Sequence, residues 1–416
     1  MDPRTEPNLH AITDVAADPS TRERYAVDGM LPSAVARPGS EAEVSAVLKL
    51  AASLGMAVVP WGAGSSQDLG HPPERVDLVL SLERLNQVVE YVPADMTITV
   101  QAGMRLAELQ ALTASQGQTL PLDPPRAGRK TIGGLVATAL AGPRRMAYGG
   151  VRDLLLGSRV ALADGRVIKT GGRVVKNVAG YDMNKLLCGS LGTLGVVTEA
   201  TFKLRPLPAQ SRTLVAGFPD LASALAAGEA VLNSELLPAA LVVLAAGAAR
   251  RLELPGRATL AVLLEETPEN VAYQAARLPA LTGVDVDLLD EGEAAALWGA
   301  VTNFGDRFGA AYQIRVNTVI ADLERCLQLG ESTIAYMGTG TVMLYGWEAE
   351  AGQVAGQMEA AAMGGGWAVL EAAPVTIRRV VEPWGPPRPE WRLMRAIKER
   401  FDPGRILNRG RFVGGM

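Results

Sequence analysis

Apolar positions along this 416-residue chain follow two periods, and their alternation outlines the fold. Ser40 precedes EAEVSAVLKLAASLG, in which Val44, Val47, Leu48 and Ala51 fall on one helical face. Ser40 and Glu43 make a capping box, hydroxyl and carboxylate each taking an orphan amide. Gly55 closes that helix, and MAVVP (56–60) reads as a short buried strand. VDLVLSL (76–82) and VVEYV (88–92) are further strands, MTITVQAG (96–103) alternates with period two, and LAELQALTASQG (106–117) returns to helical spacing. GSRVALA (157–163) and RVIKT (166–170) predict a hairpin about Asp164-Gly165, and VVTEATFKL (196–204) is another strand. From 209 to 385 strands and helices alternate again: TLVAGF, a helix from Asp220, ATLAVLLEE, helices from Glu269 and Glu291, then AYQIRVNTV, TVMLYGW and WAVLEAA. This order predicts an α+β fold, with a mixed sheet in the first half and a largely antiparallel one in the second. Residues 1–33 are polar and predict an extension or a short helix.

Composition narrows the function classes. Hydrophobic residues make up 48% and charged residues 20%, ordinary for a globular protein with two or three domains. The net charge of −4 leaves no electrostatic footprint for nucleic acid. Cys188 and Cys326 form neither a metal-spaced pair nor a disulfide framework, which points to a reducing compartment. An iron–sulfur cluster needs about four cysteine ligands, more than this chain has. MDPRTEPNLH lacks the apolar core of a secretory signal, and LLPAALVVLAAGAA (236–249) is too short and too broken by proline and glycine for a membrane span. A cytoplasmic protein is expected, without a bound metal.

Three glycine-rich stretches carry the candidate chemistry. The first follows the 56–60 strand: Trp61, Gly62, Ala63, Gly64, Ser65, Ser66 and Gln67. Small residues there let successive backbone N–H groups form a nest for an anion such as phosphate, although a flexible turn has the same composition. The second runs from Pro121, Leu122 and Asp123 to Thr131, Ile132, Gly133 and Gly134. Thr131 caps a helix of small residues that includes Ala137 and Thr138, suited to close approach by a pyrophosphate or to tight packing alone. The third, KNVAGYDMNKLLCGSLGTLGVVTE (176–199), holds Gly189, Gly192 and Gly195 and opens a strand. A Rossmann loop would open a helix, so its phosphate logic does not transfer.

In this order and separation, WGAGSS, VQAG, TIGG, the YG of 148–149, the ADG hairpin and GSLGTLGVVT resemble the FAD-binding domain of the vanillyl-alcohol oxidase-like, or PCMH-type, flavoproteins. The resemblance covers about residues 34–208. It implies that Gly62–Gln67 and Thr131–Thr138 hold the pyrophosphate of FAD and that Gly195, Val196 and Val197 lie along the adenosine. The cofactor-binding candidates are therefore Gly62, Ala63, Gly64, Ser65, Ser66, Gln67, Pro121, Asp123, Thr131, Ile132, Gly133, Gly134, Ala137, Thr138, Tyr148, Gly149, Gly192, Gly195, Val196 and Val197. The 176–199 stretch looks like that of the smaller of the FAD-binding subunits of bacterial glycolate oxidase. The related catalytic subunits typically carry Glu where this chain has Leu191. LMRAIKERFDPGRILNRGRF (393–412) resembles the closing segment that packs back onto the flavin domain, with Arg409 in place of the usual proline. The implied organisation is an extension (1–33), a PCMH-type FAD-binding domain (34–208), an α+β cap domain with an antiparallel sheet (209–385) and a returning C-terminal segment (386–416).

Covalent flavin attachment in this family uses histidine or cysteine near the isoalloxazine. The only histidines, His10 and His71, are not at attachment positions, and Cys188 reads as packing, so noncovalent FAD is expected. Related hydroxy-acid dehydrogenases carry histidines in the cap and tail as base and metal ligands, and this chain has none after His71. Arg315, Arg378 and Arg379 are candidate carboxylate-holding cations, with surface roles as the alternative, and no catalytic base stands out. One reading is an FAD-holding subunit of a glycolate oxidase-type 2-hydroxy acid dehydrogenase complex. Its partners would be a catalytic flavoprotein subunit and an iron–sulfur subunit, and such a complex would sit in the cytoplasm or peripherally at the inner membrane. The alternative is a self-sufficient FAD-dependent 2-hydroxy acid dehydrogenase with a non-histidine base. A flavin-free scaffold is a third reading, disfavoured by the intact glycine stretches.

Overall fold

The computed structural model describes residues 5–172 and 182–416, so the Lys176–Tyr181 part of the third glycine-rich stretch lies outside the described residues. The chain divides into two compact units. The first comprises Met1–Leu140, Gly150–Pro206 and Pro387–Met416, and the second Ala141–Gly149 and Leu207–Pro386.

The first unit contains two main sheets. In one, β1 (Asp14–Ala16), β2 (Ala34–Arg37), β3 (Val58–Trp61) and β4 (Leu78–Ser81) lie in the order β1-β2-β4-β3. β2 and β3 both run parallel to β4, while β1 pairs antiparallel with β2, so the sheet is mixed. The other is antiparallel, with β5 (Val88–Val92), β6 (Thr97–Gln101), β8 (Leu155–Ala161), β9 (Val167–Gly171) and β10 (Val196–Lys203) in the order β5-β6-β10-β8-β9. β7 (Gln118–Thr119) and β11 (Arg205–Pro206) form a small separate ladder. The Glu41–Leu54 helix buries Val44, Val47, Leu48 and Ala51, its cap is made by Ser40 Oγ on Glu43 N, and Gly55 ends it in the left-handed region. These residues join Val58, Leu78, Ile98, Val100 and Phe202 in one core that spans both sheets.

The second unit is built on one antiparallel sheet of eight strands. They are β12 (Gln210–Phe218), β13 (Ala240–Leu244), β14 (Ala258–Glu266), β15 (Asp287–Leu289), β16 (Tyr312–Asn317), β17 (Ser332–Tyr336), β18 (Thr341–Gly346) and β19 (Trp367–Ala372). Their order is β15-β12-β14-β13-β17-β18-β16-β19. Alternate residues face two different cores: Leu241, Val243, Leu260 and Val262 pack under the Leu221–Leu232 and Pro268–Thr282 helices, and Val242, Leu244, Ile334 and Tyr345 pack in the other. The 236–249 stretch is mostly buried, as β13 followed by the Ala246–Arg251 helix.

The Trp391–Phe401 helix returns to the first unit and is anchored in an unusual way. Its one buried residue is Lys398, 3% exposed, paired at 2.5 Å with fully buried Asp402. Lys398 Nζ also donates to Thr193 O (2.9 Å) and Leu407 O (3.0 Å). Asp402 accepts from the backbone N–H groups of Ile406 (3.0 Å) and Leu407 (2.9 Å). From there the chain runs beside β3, with Val58 N–H donating to Ile406 O (2.7 Å) and Asn408 N–H donating to Val58 O (2.9 Å). Burial lowers the Lys398 pKa and Asp402 opposes that shift. Asp402→Ala leaves a buried cation unpaired and two amides without an acceptor. We expect a loss of about 3–5 kcal/mol in the urea unfolding free energy. Lys398→Met/Asp402→Leu should remain destabilised, because it also strips partners from two carbonyls and two amides.

Candidate cofactor site

The site lies where β3 ends, between three chain segments. The Gly62–Gln67 loop follows β3, the Ile132–Thr138 helix begins at Thr131, and the Gly189–Gly195 loop leads into β10. Thr131 Oγ1 accepts from Gly134 N, capping the helix as its sequence suggests. The third loop is fixed to that helix by its own backbone: Gly189 N–H donates to Val136 O (3.0 Å) and Leu191 N–H to Ala137 O (2.8 Å).

Between these segments lie two adjoining cavities of about 70 and 60 Å³, which share Pro60, Gly62, Thr131, Gly134, Ala137, Leu191 and Asn408. Ala63, Gly64, Ser65, Ser66, Gln67 and Thr138 line the first, and Gly133, Gly192, Gly195, Val196 and Val197 the second. The three glycine stretches therefore converge on one crevice. Five expected residues are not among those that line these cavities. Ile132 is fully buried, and Pro121 and Asp123 do not line the crevice. Tyr148 and Gly149 belong to the second unit, where the Tyr148 hydroxyl donates to Glu265 Oε2 at 3.0 Å.

The first loop accounts for its own composition. Gly64 has φ +69°, and a Cβ there would overlap the Trp61 ring; a Cβ on Gly62 would overlap Thr131 Oγ1. Three cations converge on the loop. Arg126 Nη1 donates to Ser65 O (2.8 Å) and pairs with Asp68 (3.0 Å), and Lys130 Nζ bonds Ser66 Oγ. Arg411 donates to Gln67 Oε1, to Gln67 O (2.6 Å) and to Leu69 O (3.2 Å). Arg126, Lys130, Leu191, Asn408 and Arg411 were not among the candidates. Lys130 could have been suspected from its place just before the Thr131 cap. Asn408 and Arg411 sit in the 393–412 segment, whose packing was expected but whose residues carry no local signal.

A loop of small residues ringed by guanidinium and ammonium groups suits a pyrophosphate. The wall of Leu82, Ala102, Val196 and Val197 beside it offers apolar surface to a ring. The donors and shape thus fit the phosphate-bridged part of FAD. The family described as FAD binding domain matches residues 32–171, and the C-terminal domain of the FAD linked oxidases matches 386–412. The structure resembles that of p-cresol methylhydroxylase with substrate bound, with a TM-score of 0.73 at 16% identity, over 98% of this chain and 96% of that one.

Residues 32–171 thus match a family of FAD binding domains, and the fold is that of the PCMH-type structures. Among its relatives is glycolate oxidase subunit GlcD of Bacillus subtilis, 36% identical over 211 residues, which are 51% of this chain and 45% of the relative. Another is glycolate oxidase subunit GlcE of Escherichia coli, 43% identical over 158 residues, 38% of this chain and 45% of the relative. The chain thus spans less than half the length of these curated relatives. Among the described residues no helix is long and apolar enough to cross a membrane.

A branched side chain in the first loop should displace the flavin nucleotide without unfolding the protein. For Gly64→Val we expect FAD to bind more weakly by about 2 kcal/mol or more, roughly thirtyfold, in a fluorescence titration. Gly128→Val is the control: the position is exposed and a Cβ there meets nothing within 4 Å, so affinity should stay at the wild-type value.

Proposed function

We propose that this chain is the FAD-holding subunit of a glycolate oxidase-type assembly acting on small 2-hydroxy acids. The observation that carries the reading is Leu191. It lines both cavities of the crevice at φ +52°, and it stands where the related catalytic subunits typically have Glu. An apolar side chain at that place can wall a cofactor but can neither take a proton nor orient a polar substrate.

The second unit supports the same division of labour. Oxidation of a 2-hydroxy acid needs a base for the hydroxyl proton and a cation for the carboxylate. Arg315 is committed to Glu371 (Nε to Oε1, 2.5 Å) and lies over the Trp367 ring at 5.8 Å. Arg378 is buried and donates to Ala373 O at 3.0 Å. Arg379 is exposed. Neither histidine, His10 nor His71, falls in this unit.

FAD is held noncovalently in this reading. Burial pushes the Cys188 thiol up to about 12, so it stays protonated at neutral pH and is a poor nucleophile. When bound, the flavin supplies the redox chemistry, accepting and passing on electrons. The chain's own residues position it: Arg126, Lys130 and Arg411 fix the loop that receives the pyrophosphate, and the Gly189–Gly195 loop closes the opposite wall. The substrate base and the iron–sulfur clusters come from a catalytic flavoprotein subunit and an iron–sulfur subunit.

Two measurements test this. Acid precipitation of the yellow protein should leave the flavin in the supernatant; colour retained in the pellet would mean a covalent bond. The isolated chain should oxidise glycolate or lactate only at trace rates, with activity appearing on co-expression with the partner subunits. Turnover by the lone chain at about 1 per second or faster would refute the subunit reading.

A further inference from the structure

Asn408 is a residue of the returning tail that lines both cavities of the cofactor crevice. It is 7% exposed, borders both cavities and has φ +43°, a left-handed conformation that asparagine tolerates. Its backbone N–H donates to Val58 O at 2.9 Å, and its Nδ2 donates to Leu191 O at 2.5 Å. Its Oδ1 is buried and has no hydrogen-bond partner among the described residues. Buried polar atoms are nearly always paired, because an unpaired one carries the full desolvation cost. An orphaned acceptor on a residue that walls a ligand cavity therefore points to a donor on the ligand.

The chemistry of the donor follows from the surroundings. An amide oxygen only accepts, and ionised pyrophosphate oxygens only accept, so the two cannot pair. The phosphates belong to the Gly62–Gln67 loop with its ring of cations. On either side of the pyrophosphate, FAD carries hydroxyl groups: those of the adenosine ribose and those of the ribityl chain. Asn408 is common to the cavity that holds the phosphate loop and the one lined by β10, and so faces that junction.

Resting on the FAD reading above, we propose that Asn408 Oδ1 accepts a hydrogen bond from a ribose or ribityl hydroxyl of the bound flavin nucleotide, making the tail part of the cofactor site.

The test measures FAD and ADP affinity of Asn408→Ala and Asn408→Gly by fluorescence titration and competition, together with trypsin cleavage of the FAD-free tail at Arg405 and Arg409. Glycine suits the positive φ, so it covers the case in which the alanine variant folds poorly. We expect both variants to bind FAD about five- to tenfold more weakly, the scale of one neutral hydrogen bond, with tails as resistant to trypsin as wild type. A parallel loss for ADP assigns the donor to the adenosine ribose, and unchanged ADP affinity assigns it to the ribityl chain; either supports the proposal. Wild-type FAD affinity in the glycine variant overturns it. So does weaker binding accompanied by tail cleavage as fast as in Lys398→Met, since Asn408 would then only dock the tail. Wild-type protein that takes up no FAD fails at the earlier step, the FAD reading itself.

Discussion

The Lys398–Asp402 pair governs how the flavin-binding unit is closed. Taking two opposite charges out of water costs several kcal/mol each, and the attraction between them offsets that only when the geometry is good and the remaining valences are filled. Here they are filled. Lysine has three donors and all find acceptors, in Asp402, Thr193 and Leu407. The carboxylate accepts from two backbone amides as well as from the lysine. Because Thr193 lies in the third glycine loop and Ile406 and Leu407 in the strand-like tail, the bonds that complete the pair join loop to tail, and the tail's backbone bonds to Val58 join it to β3. Loss of the loop would cost Lys398 one acceptor, and loss of the 406–407 backbone would cost the pair three hydrogen bonds, so loop and tail are held together.

That constraint explains why a crevice built from small residues keeps its shape. Glycine loops gain close approach to a ligand by giving up the side chains that would otherwise hold them. In this protein the holding is delegated outward. Arg126 and Arg411 grip backbone carbonyls of the first loop, Lys130 grips a hydroxyl, and Asn408 and Lys398 grip carbonyls of the third. The loops themselves stay small while polar side chains from neighbouring segments cross-brace them.

Local information was readable from the sequence. The Ser40 cap, the Val44–Ala51 helical face, the Asp164-Gly165 hairpin and several of the strands between β12 and β19 follow from periodicity and turn chemistry, which act over a few residues. β17, with the sequence STIAY between Gly330 and Gly338, escaped because five buried residues show no alternation. β1 escaped because three residues carry no pattern, and its pairing with Arg37 is tertiary. The glycine stretches pointed to the candidate cofactor crevice, yet the residues that brace it, Lys130 apart, carried no local signal. An arginine in a loop looks solvated until its partner, hundreds of positions away, is known. Tyr148 shows the converse: its neighbourhood matched a flavin domain, while the residue belongs to the second unit and its hydroxyl is bound to Glu265 of that unit's sheet. The GYD part of the third stretch falls largely outside the described residues.

The bond between Arg411 and Gln67 spans 344 residues of sequence. A ribosome working at about 5–20 residues per second needs on the order of twenty seconds to a minute to cover that distance. Through that interval the first glycine loop and β3 exist without the tail that braces them, while the entire second unit is being made. The crevice therefore lacks Asn408 and the Arg411 bonds until the last few residues of that span have been made. Its closure is a late event in the life of the chain, set by the order in which its segments emerge.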